Sequence, residues 1–464
     1  MFAALLISPG ATCTDGVMAK KSVNKARADG AGAAKFIDAF LIDLNGVERG
    51  KRLPAKDAAK IEKSSLRFPR SLIGVDIWGN DVFDNGLVVD TGDSDGLCPI
   101  VRPGLKPCPW SATPTLQAQV MMAEANGAAF GADPRQLLIN ARERAKKMGL
   151  TPVAAVELEF YLLTRDFDEL GRPLAPKGAN GKRVREGRVY AMAELDAYAA
   201  FLSDLYAAAD AQGLPLDAAV IEAGPSQFEV NLKHQADIVV AADQAVWLKR
   251  AIRGVASKHG LAASFMAKPF GDLPGNGMHA HMSMLNARGA NAFETEKTLL
   301  SAIAGLIATM QEGMILFAPH LNSWRRFQEG SHAPTRAAWG RENRTAPIRI
   351  PADGGANTRF EHRVAGADAN PYLVLAAILS GALFGLEKKL TPPPALTGNV
   401  YASAAPRLDI GWRAALSAFE DGQALNPAFG PLFTQVYGAL KRQEMRAADR
   451  RVTDFEYDSY LFAF

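Results

Sequence analysis

A cysteine framework, an excess of one charge and a long hydrophobic run are all missing from this chain of 464 residues. No stretch approaches the roughly 18 consecutive apolar residues of a membrane span. The 52 Lys and Arg against 49 Asp and Glu leave a formal net charge of +3, so no global field favours nucleic acid or an anionic membrane surface. These absences predict a soluble globular protein that binds small molecules, and neither nucleic acid nor membrane.

The cysteines are Cys13, Cys98 and Cys108, an odd number with no Cys-x-x-Cys spacing. This pattern argues against a disulfide scaffold and against a thiolate zinc site, and it fits a reducing compartment. We therefore expect buried, inert thiols and a cytoplasmic location.

The chain divides by composition into three parts. Its apolar start lacks the basic segment of a signal peptide, and a stretch rich in Lys, Ala and Gly follows Met18, a second candidate start. We predict a flexible extension over residues 1–32, a small β-rich domain over 33–130 and a larger domain over 131–464. The hydrophobic share of 48% can fill a sizeable core.

Strand signals dominate the small domain. Asn45-Gly46, after an apolar segment, is typical of a β-hairpin turn. Short apolar runs at 72–77 and 87–89 continue the strand-and-turn pattern, with glycine and aspartate between them.

Helix signals open the larger domain. Asp133-Pro134 supplies an N-cap and a first helical residue, and Gly149 ends the periodic run, so we predict a helix between them. Further helices are predicted over 194–212, 238–259 and 298–317, and over most of the chain from residue 412 onward.

In four segments of the larger domain, Glu, His, Arg or amide side chains recur at every second position. They are VELEF at 156–160, QFEVNL at 227–232, MHAHM at 278–282 and RFEHRV at 359–364. Residues two apart on a strand share a face, so each strand pairs an apolar face with a face of Glu, His, Arg or amide side chains. One such strand is usually an amphipathic edge in water, but four of this composition favour a functional site.

The chemistry of these faces is specific. Carboxylate oxygens are the ligands of hard divalent cations, and a first-row metal accepts an imidazole among them. Several Glu with one or two His and several Arg are typical of a two-metal phosphate site, in which cations and guanidinium groups neutralise phosphoryl charge.

The segment KPFGDLPGNGMHAHMS at 268–283 resembles the ATP-region signature of the glutamine synthetase family. Other blocks resemble that family in the same order: 156–160, NSWRR at 322–326, NRTA at 343–346, 359–363 and ANPY at 369–372. The resemblance covers about residues 35–464 and is strongest between 150 and 380.

The resemblance implies an α+β fold. An N-terminal β-grasp domain would occupy 33–130, and a catalytic domain of the glutamine synthetase type, an antiparallel β-sheet funnel with surrounding helices, would occupy 131–464. It also implies a homododecamer of two stacked hexameric rings, with active sites between subunits.

The resemblance further implies two sites for Mg²⁺ or Mn²⁺. The residues of the first are Glu159, Glu222 and Glu229, and those of the second are Glu157, His279 and Glu361. Arg326 and Arg363 would hold the glutamate carboxylates, with Gly275 and Gly277 close by. The phosphates of ATP and the transferred phosphoryl group would be bound by Arg344, Arg349 and Arg359. The nucleotide site would be lined by His281, Ser283 and Lys268.

The implied activity is ATP-dependent amide formation. The γ-carboxylate of glutamate attacks the γ-phosphate of ATP, and an amine displaces phosphate from the resulting γ-glutamyl phosphate. In true glutamine synthetases a flap carries a Glu where this chain has His332, and their Asp-Gly-Ser-Ser loop is replaced here by 68–80. These stretches resemble the γ-glutamylpolyamine synthetase branch, which joins glutamate to putrescine or other amines.

Three residues are candidates for the amine end of the site. His332 can act as a base near neutral pH, although an exposed loop histidine is the simpler interpretation. Tyr190 falls near a family tyrosine beside the ammonium pocket, and a packing role is equally open. Asp76 is a candidate acid that would act on the adjacent subunit's site. Tyr401 lies in a half-matched modification context, and regulation there is not expected.

Three alternatives stay open. Authentic glutamine synthetase, using ammonium, differs only in the second substrate. A non-catalytic relative should have lost ligands, whereas all six metal positions are present. A two-metal phosphohydrolase built on the same carboxylates would need no glutamate for turnover.

Overall fold

The computed structural model describes residues 34–178, 181–352 and 354–464, so the predicted extension over 1–32, with Cys13 and Met18, lies outside the described residues. The strands are β1 (Phe36–Ile42), β2 (Glu48–Pro54), β3 (Arg67–Pro69), β4 (Asp95–Leu97), β5 (Lys106–Pro107), β6 (Thr115–Gln119), β7 (Thr151–Leu163), β8 (Leu216–Ile221), β9 (Gln227–Leu232), β10 (Ala262–Ser264), β11 (Met278–Leu285), β12 (Trp339–Arg341), β13 (Ile348–Ile350) and β14 (Phe360–His362). The helices are α1 (Ala58–Glu62), α2 (Pro134–Lys147), α3 (Met192–Ala197), α4 (Ala199–Gln212), α5 (Ile238–Lys258), α6 (Glu296–Ala308), α7 (Met310–Phe317), α8 (Pro371–Lys388), α9 (Trp412–Glu420), α10 (Leu425–Phe429), α11 (Pro431–Asp449) and α12 (Asp454–Tyr460).

The N-terminal part contains a four-stranded sheet in the order β2-β1-β6-β5. β1 and β2 form the predicted hairpin, with Ile42 opposite Glu48 and Gly46 in the turn at φ 77°. A left-handed backbone of this kind favours glycine. β6 pairs parallel to β1. The β-grasp assignment itself stays a prediction.

The short apolar runs of the N-terminal part are not strands, so that interpretation was wrong. Residues 72–74 lie in the 3₁₀ turn Arg70–Gly74. Residues 87–89 lie in a bend and a turn that follow the 3₁₀ turn Phe83–Asn85. Ile73 and Leu87 are nevertheless buried in the core, because a short apolar run can turn its side chains inward without joining a ladder.

The larger sheet has the order β12-β13-β14-β11-β7-β9-β8, with β10 paired to the far end of β7. Its pairs are antiparallel except for β12 and β13, which run parallel. The predicted antiparallel sheet therefore has one parallel pair at this edge, where two three-residue strands are joined by the segment 342–347.

The four alternating segments lie on consecutive strands of this sheet, β14, β11, β7 and β9. Register places His279 opposite Glu157, and Glu229 opposite Glu159. His281 lies opposite Glu361 on β14. Polar faces that are far apart in sequence thereby become one continuous surface.

The predicted helices are largely confirmed. α2 begins at the predicted cap, where the Asp133 carboxylate accepts a hydrogen bond from the Gln136 amide at 2.9 Å. The 194–212 helix is divided at Tyr198 into α3 and α4. The 298–317 helix is bent by 69° between α6 and α7. At that bend Thr309 donates its hydroxyl to the Gly305 carbonyl at 2.9 Å, a back-bond that bends helices.

Among the described residues, α8 is long and apolar enough by composition to cross a membrane, with a mean hydropathy of 1.3. The prediction that nothing approaches a span is therefore wrong on composition. However, 78% of that window is buried within the fold. Its glycines Gly381 and Gly385 pack directly against Gly305 of α6, so α8 is a core helix of this structure.

A buried polar network joins α11 to the N-terminal hairpin. The Lys441 ammonium group donates to Asn45 Oδ1 at 2.6 Å and to Glu444 Oε2 at 2.9 Å. Glu444 Oε1 also accepts from Asn45 Nδ2 at 2.7 Å and from the Ile77 amide at 2.9 Å. These contacts fix the turn at 43–46 and the loop at 76–80 against the larger part of the molecule.

The two described cysteines are free and buried, as expected. Burial raises the pKa of the Cys98 thiol to about 12 and that of Cys108 to about 11. A thiol with such a pKa carries little reactive thiolate.

Candidate active site

His279 on β11 lies at the centre of four carboxylates. Its Nδ1 is 3.4 Å from Glu157, 3.8 Å from Glu361 and 4.0 Å from Glu229, and its Nε2 is 4.0 Å from Glu159. The imidazole is 8% exposed. Polar side chains from β7, β9, β11 and β14 therefore meet at one place in the structure.

Three groups of ligand atoms in this region lie within 4.8 Å of one another. Glu159, Glu222 and Glu229 form one, which is the first predicted metal set. The other two both contain Glu157: it groups with Glu229 and His279, and again with His281 and Glu361.

The second predicted metal set is therefore spread over two overlapping groups. His281, which the resemblance placed at the nucleotide, lies 3.0 Å from Glu157 through Nε2 and joins the possible ligands. The sequence alone could not show whether one or both of the two histidines lie among the possible metal ligands, because His279 and His281 share one face of the same strand.

Burial, reinforced by mutual repulsion, raises the pKa values of two carboxylates in the group Glu159, Glu222 and Glu229. Burial and then the charge of Glu159 raise the pKa of Glu222 to about 7. Burial, followed by the charges of Glu157 and Glu159, raises the pKa of Glu229 to about 9. Carboxylates that disfavour one another's ionisation fit a site built for a divalent cation.

The negative charges of Glu157 and Glu361 are compensated by neighbouring basic side chains. Burial alone would raise the pKa of Glu361, but Arg363 and the two histidines lower it to about 2. Burial likewise opposes ionisation of Glu157, yet hydrogen bonds from His279 and His281 hold its pKa well below the usual range. This half of the site therefore stays anionic at neutral pH.

We expect metal binding to stabilise the protein more at high pH than at low pH. Because the folded-state pKa values of Glu222 and Glu229 lie above those of the unfolded chain, the metal-free protein loses stability as pH rises from about 5 to about 9. Bound Mg²⁺ or Mn²⁺ removes that loss. Thermal unfolding with EDTA and with Mg²⁺ should give midpoints that diverge between about pH 6 and about pH 9; a constant difference would contradict the prediction.

Arg326 and Arg363 lie beside the carboxylates, and both are 5% exposed. Arg326 donates to the Val364 carbonyl at 2.7 Å and to the Arg363 carbonyl at 3.2 Å. Arg363 pairs with Glu361, but its Nε has no acceptor within the described part of the chain. A buried donor without an acceptor is costly, which fits an anion-binding position.

Gly275 and Gly277 bring a loop backbone against this arginine. A side chain at Gly277 would lie 3.0 Å from the His279 ring and 3.2 Å from Arg326, so only glycine fits without displacing the site. The Gly277 amide donates to Glu159 at 2.6 Å. The residues predicted to bind glutamate are thus brought together beside the cluster of possible metal ligands.

Gln227 was not identified from the sequence as a site residue, although it shares a face with Glu229. Its buried amide donates to the Gly275 carbonyl at 3.0 Å and to Asn276 Oδ1 at 3.0 Å. The Tyr161 hydroxyl supports the same loop by donating to the Pro274 carbonyl at 2.8 Å. Both side chains position the backbone that faces Arg326.

Two of the three arginines predicted to bind phosphate, Arg349 and Arg359, lie at the other end of the cluster. Arg349 donates to Glu361 at 2.8 Å and to Glu342 at 3.1 Å. Arg359 donates through Nε to His281 Nδ1 at 3.3 Å. Ser283 follows His281 on the same face of β11.

Arg344 lies exposed in the turn between β12 and β13. Its neighbours anchor that turn: Asn343 donates to the Gly398 carbonyl at 2.9 Å, and Thr345 Oγ1 accepts from the Val400 amide at 3.2 Å. The structure thereby explains why Asn and Thr flank this arginine.

His234, also missed from the sequence, lies at the His281 side of the cluster. Its ring meets that of His281 edge to face, with centroids 6.1 Å apart. Although the residue is exposed, desolvation of the ring and then the charges of His281 and Arg359 lower its pKa to about 4. His234 is therefore neutral at physiological pH.

Lys268 and Asp76 are engaged in local structure. The Lys268 ammonium group donates to the Leu273 carbonyl at 2.5 Å. The Asp76 carboxylate, in a residue that is 2% exposed, accepts from the Trp78 and Asn80 amides and from Gln443. Within this subunit Asp76 stabilises its own loop, and an acid role on an adjacent subunit stays a prediction.

Tyr190 and His332 lie in loops at the edge of the site and are exposed. Both have left-handed backbones, at φ 59°. The Tyr190 amide donates to the Ile221 carbonyl at 3.1 Å, beside Glu222. His332 follows Ser331, whose hydroxyl donates to the Arg326 carbonyl at 3.1 Å. This hydrogen bond connects the loop that carries His332 to Arg326.

Comparison with known proteins gives consistent relatives. The family described as glutamine synthetase, catalytic domain, matches residues 131–460. The chain is 41% identical to γ-glutamylputrescine synthetase PuuA of Escherichia coli, over 92% of each chain. It is 31% identical to glutamate–isopropylamine ligase of a Pseudomonas species, over 90% of this chain and 93% of the relative. A solved GmaS complex with ADP superimposes with a TM-score of 0.81 at 26% identity, covering 94% and 98% of the two chains.

Proposed function

Because this chain belongs to the glutamine synthetase family, we propose that it is an ATP-dependent ligase that joins the γ-carboxylate of L-glutamate to an amine. The acceptor is a polyamine such as putrescine, or a monoamine. The observation that carries the proposal is the convergence of His279 and four glutamates beside the buried pair Arg326 and Arg363. That inventory serves phosphoryl transfer to a carboxylate substrate.

The residues divide into two roles in this proposal. Arg326 and Arg363 hold the carboxylates of glutamate, and the backbone of Gly275 and Gly277 limits the space around them. Arg344, Arg349 and Arg359 bind the phosphates of ATP and stabilise charge on the transferred group.

The carboxylates of the cluster would hold the divalent cations. The candidate ligands are Glu157, Glu159, Glu222, Glu229, His279 and Glu361, with His281 as a further one. Bound Mg²⁺ or Mn²⁺ would neutralise phosphate charge as a Lewis acid. The protein residues need form no covalent bond with the substrates, since positioning and electrostatics suffice for formation and aminolysis of γ-glutamyl phosphate.

An amine is favoured over ammonium by the relatives and by the flap. The named relatives act on putrescine and isopropylamine, and an exposed His332 gives a small cation no full negative charge. Authentic glutamine synthetase is the second candidate, since the chain is also 30% identical to glutamine synthetase of Methanocaldococcus jannaschii over 92% of its length.

The test is glutamate-dependent ADP release with ATP and Mg²⁺ across ammonium, methylamine, ethanolamine, putrescine, cadaverine and spermidine. We expect turnover with one or more organic amines and little with ammonium. Turnover with ammonium alone would establish the second candidate. ATP hydrolysis independent of glutamate would contradict ligase activity and favour a phosphohydrolase.

Replacing His332 with Glu should improve the use of ammonium. A carboxylate about 4 Å from a small cation in a water-like environment contributes about 1 kcal/mol, so kcat/KM for ammonium should rise about fivefold. His332→Gln is the matched control, because both variants bear the same left-handed backbone and only one bears charge. Equal gains in the two variants would show that charge at 332 is not responsible.

The assembly and location are proposed on the same basis. A homododecamer of two hexameric rings, with sites completed between subunits, would let the loop at 68–80 act on a neighbour. Mass measurement in solution tests this arrangement. Cytoplasmic location likewise stays a proposal.

A further inference from the structure

The 3₁₀ turn Leu321–Arg326 ends on an arginine beside the cluster of possible metal ligands. Arg326 is 5% exposed, and its guanidinium group donates to the Val364 carbonyl at 2.7 Å and to the Arg363 carbonyl at 3.2 Å. Carbonyl oxygens carry no formal charge, so these hydrogen bonds orient the guanidinium group without neutralising it. Its charge remains for an anion, and its position depends on how the turn is held.

One contact of this turn is with the segment that follows β14. The Ser323 hydroxyl donates to Asp368 Oδ2 at 2.6 Å, and Ser323 is 2% exposed. The same hydroxyl oxygen accepts from the His320 amide at 3.0 Å. A hydroxyl can donate and accept at once, and here it both closes the start of the turn and joins the turn to Asp368.

The backbone of Asp368 is held from the other side by Lys249 on α5. The Lys249 ammonium group donates to the Ala367 carbonyl at 2.6 Å and to the Ala369 carbonyl at 3.4 Å. Lys249 is 5% exposed, and its ammonium group lies 5.3 Å from the centroid of the Phe265 ring. Because an ammonium group has three donors, it can bridge both carbonyls and fix the backbone from which the Asp368 side chain projects.

A second contact holds the turn against the glycine loop. Asn322 Nδ2 donates to the Lys268 carbonyl at 3.0 Å, and Asn322 Oδ1 accepts from the Lys268 amide at 2.8 Å. Farther along that loop, a Cβ added at Gly275 would lie 2.9 Å from Arg326 Cγ, so the arginine stem packs closely on this backbone. Asn322 and Ser323 therefore fix the turn against two different segments.

We propose that Ser323 and Asp368 are positioning residues whose hydrogen bond sets the place of Arg326 and thereby the affinity of the site for a carboxylate of the amino-acid substrate. This inference rests on the function proposed above, in which Arg326 binds glutamate. A small displacement of a binding group can lower activity strongly. Since Asn322 still holds the turn when the hydrogen bond is removed, we expect a partial loss of affinity.

Ser323→Ala tests the proposal by removing the hydroxyl that joins the turn to Asp368. The KM for glutamate should rise about tenfold, the factor that corresponds to the loss of one buried side-chain hydrogen bond. The KM for ATP should change less than about twofold, because the arginines proposed to bind phosphate lie outside this turn. In thermal unfolding, the upward shift of the midpoint caused by glutamate should shrink correspondingly.

Variants of Asp368 test the same hydrogen bond from its other end. Asp368→Ala should raise the KM for glutamate by a similar factor, whereas Asp368→Asn keeps an acceptor oxygen and should stay within about threefold of the wild type. The double variant Ser323→Ala/Asp368→Ala should raise the KM no further than the larger single effect, because one interaction is lost only once. Effects that multiply in the double variant would overturn the inference.

Ser301→Ala is the matched control. Ser301 is 8% exposed on α6, a helix without candidate site residues, and its hydroxyl donates to the Leu390 carbonyl at 2.9 Å. We expect this variant to lose thermal stability and to keep the wild-type KM for glutamate. The same pattern in Ser323→Ala would show a purely structural role and overturn the inference.

The outcomes separate the two proposals. If the wild type shows glutamate-dependent turnover and Ser323→Ala keeps its KM for glutamate, the inference is overturned and the ligase function stands. If no amine supports glutamate-dependent ADP release, both are overturned. Should Ser323→Ala not fold, Ser323→Cys decides, because a thiol of similar size is only a weak donor. In that variant the KM for glutamate should rise about threefold or more, and an unchanged KM overturns the inference.

Discussion

Replacing Glu157 with Gln is expected to lower turnover about a thousandfold or more, since loss of several kcal/mol of metal-dependent stabilisation corresponds to that factor. Glu157 belongs to two of the three groups of possible metal ligands. It also accepts from His281 at 3.0 Å and lies 3.4 Å from His279. The amide removes one negative charge and one acceptor oxygen at the point where those groups meet.

Two measurements check this expectation. Isothermal titration should show a lower affinity for Mn²⁺, or fewer Mn²⁺ ions bound per subunit, in Glu157→Gln. The rate of ADP release should fall as well. Glu143→Gln is the control, because Glu143 forms an exposed pair with Lys146 on α2. Full activity and full Mn²⁺ stoichiometry in Glu157→Gln would remove this residue from the proposed metal sites.

Glu444→Gln is expected to destabilise the protein by about 3–5 kcal/mol, the usual cost of breaking a buried ion pair from one side. Lys441 and Glu444 are 0% and 2% exposed. The carboxylate accepts hydrogen bonds from Asn45, Ile77 and Lys441, all of which are donors. A glutamine places its own NH₂ group against one of these donors and leaves the Lys441 charge uncompensated.

The midpoint of urea unfolding checks this prediction. Glu296→Gln provides the comparison, since Glu296 pairs with Arg341 at 2.6 Å while both side chains are more than half exposed. Exposed pairs contribute about 0–1 kcal/mol, so that variant should unfold close to the wild type. Equal midpoints for the two variants would contradict a stabilising role for the buried network.

Local rules in the sequence determined the elements that carry the site. The pleat of a strand dictates that residues two apart share a face, and β7, β9, β11 and β14 follow that rule. The cap at Asp133 and the turn at Gly46 were predictable for the same reason, since each depends only on near neighbours in the chain. The choice of Glu, His and Arg on those faces also indicated phosphate and metal chemistry without coordinates.

Tertiary structure decided which of these residues meet. Strand order and register depend on packing between distant segments, so no local pattern could show that His281 also lies among possible metal ligands. Because of the same packing, the apolar runs at 72–77 and 87–89 do not pair as β-strands. It also gave Asp76 partners in its own subunit.

Burial, too, was decided by the tertiary structure. The sequence around Tyr401 suggested only a half-matched modification context, whereas the fold leaves this residue only 6% exposed. Gln227 gained its role because the loop at 274–277 folds back onto β9. The sequence by itself determined the kinds of side chain available to the site, because local geometry sets which way each points; only long-range packing decided their distances, their desolvation and hence their charges.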